Sequence, residues 1–426
     1  MLIITSFILT VLLLFFMVRK NFTSPLFLFT ITWWAIISFY SLRLFGIFDI
    51  QSNTQVVLFV GIMTFVGGYC VQSLISSKKK HLGRVYYDTP NFIRIRWIVV
   101  LIIILSLDFY SQQLRYALQG IPLDETKILL SLGKIDTGGW VMQYIVRPFE
   151  HITIALASYC VFHKKNEKII IMSGLITAVL RFIGTGSKTI LVYLVICLFF
   201  SYLLTPILEP ELNSKRKLKV NKRGKFYLIG LGLGVTTFLF YYMSRDGDAL
   251  QSLYFYLSGS VVLLDKVLNT TFYFDGSFNW GFNSFNSLVR LVVKLASMIG
   301  INLEGELLTR GTYTMIRYDL TNYVSNTRPY NAFVTMFANF YVDFGYVGVV
   351  GLSSLFGIFS SWQYQRLMKK PGIINYVIYC ITAYYILYSM VRFQMMMLPW
   401  GLSMLYSLFL LPVLLNVRVK IGNKYI

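Results

Sequence analysis

Apolar runs of bilayer-crossing length recur along this chain, and nothing else in the sequence constrains its fold so tightly. They cover residues 2–18, 26–46, 56–75, 97–112, 140–162, 169–183, a stretch from Thr189 to about Leu204, 226–243, 345–364, 373–391 and 397–417. A helix needs about 20 largely apolar residues to cross a hydrocarbon core about 30 Å thick. Lipid offers no hydrogen bonds to the backbone, so such runs must become helices that satisfy their own peptide groups. The runs therefore predict an all-α polytopic membrane protein with about eleven spans. Composition agrees: of 426 residues, 56% are hydrophobic and only 13% charged. The first run lacks a basic leader and a small-residue cleavage site, so it is expected to stay as a span.

The net charge of +21 invites a nucleic-acid reading, and its distribution argues against one. Most of the 39 Lys and Arg fall in clusters at 19–20, 78–96, 164–168, 215–225, 366–370 and 418–424. These clusters occupy alternate loops, which is the positive-inside pattern of a membrane protein. The expected topology puts the N-terminus outside and the C-terminus inside the membrane. It divides the chain into N-terminal spans (1–243), a long extracytoplasmic loop (244–344) and C-terminal spans (345–426). Trp97, Trp140, Trp362 and Trp400 lie at span ends, as an aromatic belt requires. The four cysteines lie inside spans and give neither a disulfide framework nor a zinc motif. No metal site and no cofactor motif is expected. Asp343-Phe344-Gly345 has no Gly-rich loop or catalytic-loop motif to accompany it, which excludes a kinase.

The long loop holds the densest polar chemistry. It opens on Ser244-Arg245-Asp246-Gly247-Asp248 and carries Arg310, Arg317 and Arg328 among many aromatic and Asn residues. Residues 285–301 are too charged to span and are expected to form an interfacial helix, with Arg290 and Lys294 four residues apart on one face. Guanidinium groups hold phosphate bidentately and stay charged, so converging arginines suit a diphosphate. Beyond the loop, Arg181 and Lys188 flank the outer turn between the sixth and seventh runs. Arg147, Glu150 and His151 lie about two turns inside the fifth, where ionised groups must either pair or line a polar cavity.

Two segments resemble the bacterial oligosaccharide repeat-unit polymerases, the Wzy-type O-antigen and capsule polymerases. Gly184-Thr185-Gly186-Ser187-Lys188-Thr189 is similar to their Gly-Ser-Arg turn, with Lys188 where they often have Arg. Tyr330-Asn331-Ala332-Phe333, followed by Tyr341-Val342-Asp343-Phe344-Gly345, is similar to the end of their long outer loop. An Arg and Gly eleven positions apart, present in outer loops of some members, is missing from the outer side here. The resemblance implies a metal-independent, membrane-embedded glycosyltransferase of GT-C-like architecture. It implies an undecaprenyl-diphosphate-linked glycan as donor, a lipid-linked repeat unit as acceptor, and a chain-length regulator and a flippase as partners.

In that chemistry Arg147, Arg181, Lys188, Arg245, Arg310, Arg317, Arg328, Tyr330 and Asn331 are the candidate substrate-binding residues. Asp246, Asp343 and Glu150 are the candidate bases. Two rival readings stand beside it. A lipid-linked oligosaccharide flippase or transporter would also use a basic cavity, but such proteins usually show two similar halves and no loop of this length. An O-antigen ligase would share the architecture but generally places a His in the long loop, and residues 244–344 have none.

Overall fold

The structure, a computed structural model, describes residues 1–78, 86–87, 92–120, 139–163, 166–185, 188–208, 249–271, 274–303, 305–320, 322–326, 329–330, 334–415, 419–421 and 424–425. The expected span at 226–243, the basic cluster at 215–225 and most of the 113–139 loop lie outside them.

The described chain is helical almost throughout. Its helices of eight or more residues are α1 (Leu2–Arg19), α2 (Pro25–Ser41), α3 (Ser52–Lys78), α4 (Phe92–Leu118), α5 (Gly139–His163), α6 (Lys168–Thr185), α7 (Thr189–Leu203), α8 (Ala249–Asn269), α9 (Asn286–Met298), α10 (Glu306–Asp319), α11 (Thr335–Lys369), α12 (Ile373–Leu387) and α13 (Leu398–Leu414). Two small antiparallel sheets supplement them. One joins β1 (Tyr86–Tyr87) to β4 (Val419–Ile421) and β5 (Lys424–Tyr425), with Tyr86 opposite Lys420. The other pairs β2 (Asn322–Tyr323) with β3 (Pro329–Tyr330). Five helices, α1, α3, α5, α6 and α11, are long and apolar enough to cross a membrane, and α2, α7, α12 and α13 are shorter apolar helices. The protein is thus a helical membrane protein by the length and composition of its helices.

The chain forms two compact units. The first comprises Met1–Lys80, Leu239–Gln365 and Thr382–Leu398. Its core is aromatic. Phe29 stacks on Phe65 with centroids 3.7 Å apart, Trp33 packs on Phe337, and Phe393 meets Phe285, Phe340 and Phe356 edge-on. The edge-on contacts of Phe393 place positive ring edges on negative faces.

The long helix of this unit, α11, differs from the sequence expectation. It begins at Thr335, ten residues before Gly345, and its 35 residues would measure about 50 Å if straight. Residues Met336, Phe337, Ala338 and Phe340 are fully buried, so this end of the expected loop is core. Its first turn is capped from outside: Val334 and Thr335 N–H donate to Val391 O, and Met336 N–H to Ser389 O at 2.7 Å. The helix then bends at Phe344 and Gly345, where Gly345 adopts φ 62° and ψ −145°, a conformation open to glycine and strained for any L side chain.

The bend is held by Asp343. Its Oδ1 accepts the Asn283 backbone N–H at 3.0 Å and its Oδ2 accepts that of Ser284 at 2.6 Å. The carboxylate thereby satisfies two buried backbone N–H groups of the turn leading into α9.

The second unit comprises His81–Phe238, Arg366–Ile381 and Pro399–Ile426. Here α5 packs against α6 and α7, and α4 against α6. The α5–α6 seam is built of small residues. A Cβ on Gly174 would lie 2.2 Å from the Ala157 Cβ, so glycine is what lets the two backbones approach. Thr153, Ile154, Ala157 and Ser158 on α5 face this seam or lie beside it, and all are buried. Thr177 and Ala178 continue it on α6, and one turn further along the same face stands Arg181.

Candidate functional site

Two helices of the second unit change pitch at the same distance before a proline. In α5 a π turn, Met142–Val146, precedes Arg147-Pro148, and in α13 a π turn, Tyr406–Leu410, precedes Leu411-Pro412. Pro148 has no N–H to give to Tyr144 O, four residues back. The Tyr406 hydroxyl donates to that carbonyl at 2.8 Å instead. Local π turns of this kind are frequent at functional sites. Here the turn ends where the charged residues of α5 begin.

Those residues and Arg181 form one cluster. Arg181 NH1 donates to Glu150 Oε2 and to His151 Nε2, each at 2.9 Å. The other carboxylate oxygen of Glu150 accepts the Tyr110 hydroxyl at 2.8 Å. A guanidinium can only donate, so His151 Nε2 must be the acceptor and its proton must sit on Nδ1. That proton points at Ser403 Oγ, 2.8 Å away. The imidazole stacks on Trp400 at 3.6 Å between centroids, and Tyr193 meets both rings edge-on. Glu150 and His151 are fully buried. The cluster is therefore a clamp that fixes one nitrogen of Arg181.

The rest of that guanidinium stays open. Nε and NH2 of Arg181 have no partner among the described residues, and the side chain is 13% exposed. Arg147 lies one turn before Glu150. Its NH1 donates to the neutral amide of Gln143 at 3.0 Å, and its Cζ sits 5.6 Å above the Phe109 ring. Its Nε is buried with no hydrogen-bond partner among the described residues. Two guanidinium groups thus share one carboxylate and a neutral imidazole, which leaves a positive excess in a low-dielectric setting. Such an excess is costly alone and is relieved by an anion. Chemically the arrangement suits a phosphate or diphosphate presented to the open edge of Arg181.

Of the sequence-predicted residues, the structure gathers Arg147, Glu150 and Arg181 at this cluster. Lys188 stands just before α7, at its N-cap position, and is half-buried. Those of the others that the structure describes belong to the first unit. Arg310 pairs with Glu306 one turn back on α10, at 2.5 Å. Arg317 follows on the same helix, and both cations act on Asp275. The Ser277 backbone N–H, 2.9 Å away, and these arginines hold the Asp275 carboxyl below its usual range. Tyr330 is buried, and its hydroxyl donates to Tyr256 O at 3.2 Å. Asp343 has both oxygens on backbone N–H groups at the α11 bend. Arg245, Asp246, Arg328 and Asn331 lie outside the described residues.

Sequence reasoning did not single out Tyr110, Ser403 or Trp400 as members of a site. They come from helices remote in sequence, and nothing local marks them. Among the described residues no three His, Cys, Asp or Glu side chains gather as metal ligands.

The fold defines a helical membrane protein with a buried, partly compensated arginine cluster. No protein-family model, no curated protein and no solved structure matches this chain.

Proposed function

We propose that the chain is a membrane-embedded glycosyltransferase that joins undecaprenyl-diphosphate-linked oligosaccharide repeat units into a surface polysaccharide. The observation that carries the proposal is the Arg181 clamp, one nitrogen tied to Glu150 and His151 and the rest of the fork open, with Arg147 beside it. The motif resemblance at 184–189 and 330–345 supplies the reaction. In this proposal about eleven spans cross the bacterial cytoplasmic membrane in a GT-C-like arrangement, and the 244–344 loop faces outward.

The acceptor hydroxyl attacks the anomeric carbon of the donor glycan. A carbon–oxygen bond forms there, the bond to the diphosphate oxygen breaks, and lipid diphosphate leaves with the negative charge. Arg181 donates to the oxygens on which charge grows, and Arg147 adds field without having to move. Glu150 already has both oxygens engaged, which suits it to hold Arg181 rather than to accept a proton. Asp343 is similarly engaged at the α11 bend. The hydroxyl proton passes to a carboxylate, for which Asp246, outside the described residues, is the third candidate.

The test uses the full chain in vesicles supplied with undecaprenyl-diphosphate-linked repeat units, with glycan ladders as readout. Arg181→Ala is expected to lower kcat far more than it raises KM. Loss of one such contact amounts to about 2–4 kcal/mol, or roughly 30- to 1,000-fold in rate. Arg181→Lys restores only part of the rate because the fork is lost. Arg43→Ala, an exposed cation paired with Asp49, is the near-silent control. Movement of the lipid-linked unit across the bilayer with no ladder overturns the proposal in favour of a flippase.

A further inference from the structure

The surface of α9 divides into three arcs. Asn286 and Ala296 are buried and lie on one arc with Val289 and Val293, the arc that faces the first unit. Ser287, in the first turn, is also buried and ties the start of the helix down: its Oγ donates to Met395 O at 2.6 Å, although by spacing it stands on the side of Arg290 and Lys294. Arg290, Lys294 and Ser297 follow one another at helical spacing on a second arc. Leu288, Leu291, Val292, Leu295, Met298 and Ile299 form the third. On it Val292, Leu295, Met298 and Ile299 are 57, 55, 64 and 74% exposed.

The helix ends in a Schellman motif. Gly300 N–H donates to Ser297 O, and Ile301 N–H to Ala296 O at 2.9 Å, with Gly300 at φ 78°. Ile301 and Leu303 beyond it are again about half exposed, at 49 and 47%. From Asn286 to Leu303 the sequence holds no Asp or Glu.

We infer that α9 lies flat in one leaflet of the bilayer, with its open arc among the acyl chains and Arg290 and Lys294 reaching anionic headgroup phosphates. The partition into a protein-facing arc, a cationic arc and an apolar arc is what a helix at the edge of a membrane protein needs. A second copy is the poorer occupant. It would bring one Arg290–Lys294 pair toward another, like charge toward like. Lipid phosphates supply the opposite charge. The seat also has a mechanical consequence. The turn entering α9 is held by the Asp343 carboxylate at the α11 bend, so lipid contact at α9 fixes the bend from outside.

The experiment places an environment-sensitive NBD label at Leu295→Cys in the full chain with Cys70, the exposed cysteine, replaced by Ser. The protein is reconstituted in phosphatidylethanolamine–phosphatidylglycerol vesicles. The label at 295 is expected to emit to the blue, to be quenched by spin-labelled acyl chains and to resist aqueous iodide, equally at every protein-to-lipid ratio. A label at the exposed Ser297 should show the reverse. Iodide quenching at 295 equal to that at 297 overturns the inference. Protection at 295 that grows with protein density also overturns it and makes a second copy the occupant. Should Leu295→Cys fail to fold, Val292→Cys on the same arc carries the same readout.

Discussion

Replacing the two partners of the Arg181–Glu150 pair, singly and together, tests whether they act as buried charges. The pair is asymmetric: Glu150 is 0% exposed and Arg181 13%. Arg181→Met strands a carboxylate in the interior, and among the described residues the Tyr110 hydroxyl is the one partner left in hydrogen-bond reach. Removing one member of a buried pair costs about 3–5 kcal/mol, and this variant belongs at the upper end, moderated by the nearby Arg147 charge. Glu150→Gln keeps an acceptor for Arg181, whose open edge lets it relax toward solvent. Its cost should be about 1–3 kcal/mol. In the double variant neither charge is stranded, so Arg181→Met should cost far less in the Glu150→Gln background than in the native one.

The assay is reversible unfolding in mixed micelles of increasing SDS, followed by far-UV circular dichroism, with the four proteins compared at the native midpoint. A coupling energy of about 2–3 kcal/mol is expected, near the upper end for contacting residues. A neutral interhelical hydrogen bond in a membrane protein averages about 0.6 kcal/mol. Coupling at or below that value, or a Glu150→Gln variant less stable than Arg181→Met, refutes the argument from buried charge.

Gly184→Ala tests how Tyr110 is placed. The new Cβ would sit 2.1 Å from Tyr110 Cδ1, so the ring must swing off Glu150. Overpacking of this kind costs about 1–3 kcal/mol, and Tyr110→Phe in the same background should add little, because the hydroxyl contact is already lost; a full additional penalty would show the ring had not moved. Asp275 gives a pH dependence. Its folded carboxyl is held below the ordinary 3.8 by the Ser277 N–H and by Arg310 and Arg317, so its contribution is present above that value and lost as pH falls through the lower, folded one. Exposure keeps the effect below about 1 kcal/mol, and Asp275→Asn should remove it from an acid titration of loop stability, whereas an unchanged titration would place the acid response elsewhere.

That the chain is a helical membrane protein follows from its residues before any packing is considered. Apolar runs such as 2–18 and 169–183 can satisfy their backbone in lipid only as helices, and that constraint needs no tertiary information. The same reasoning places Arg147, Glu150 and His151 inside an apolar helix, and the charges at Arg290 and Lys294, four residues apart, mark 285–301 as an interfacial helix. Partnership is a different matter. Glu150 and Arg181 are 31 residues apart on separate helices, and their contact depends on how far α5 and α6 approach and how each is rotated. A run's length and hydropathy fix neither quantity; the Gly174–Ala157 contact does. The same holds for Tyr110, Ser403 and Trp400, ordinary residues of apolar helices until packing turns them toward the cluster. The start of α11 was hidden for a related reason. Asn339 and Asp343 read as loop residues in sequence, but the Phe393 N–H donates to Asn339 Oδ1 at 2.9 Å and Asp343 takes the N–H groups of Asn283 and Ser284. Only packing brings those partners within reach, and with them polar residues become stable inside a buried helix.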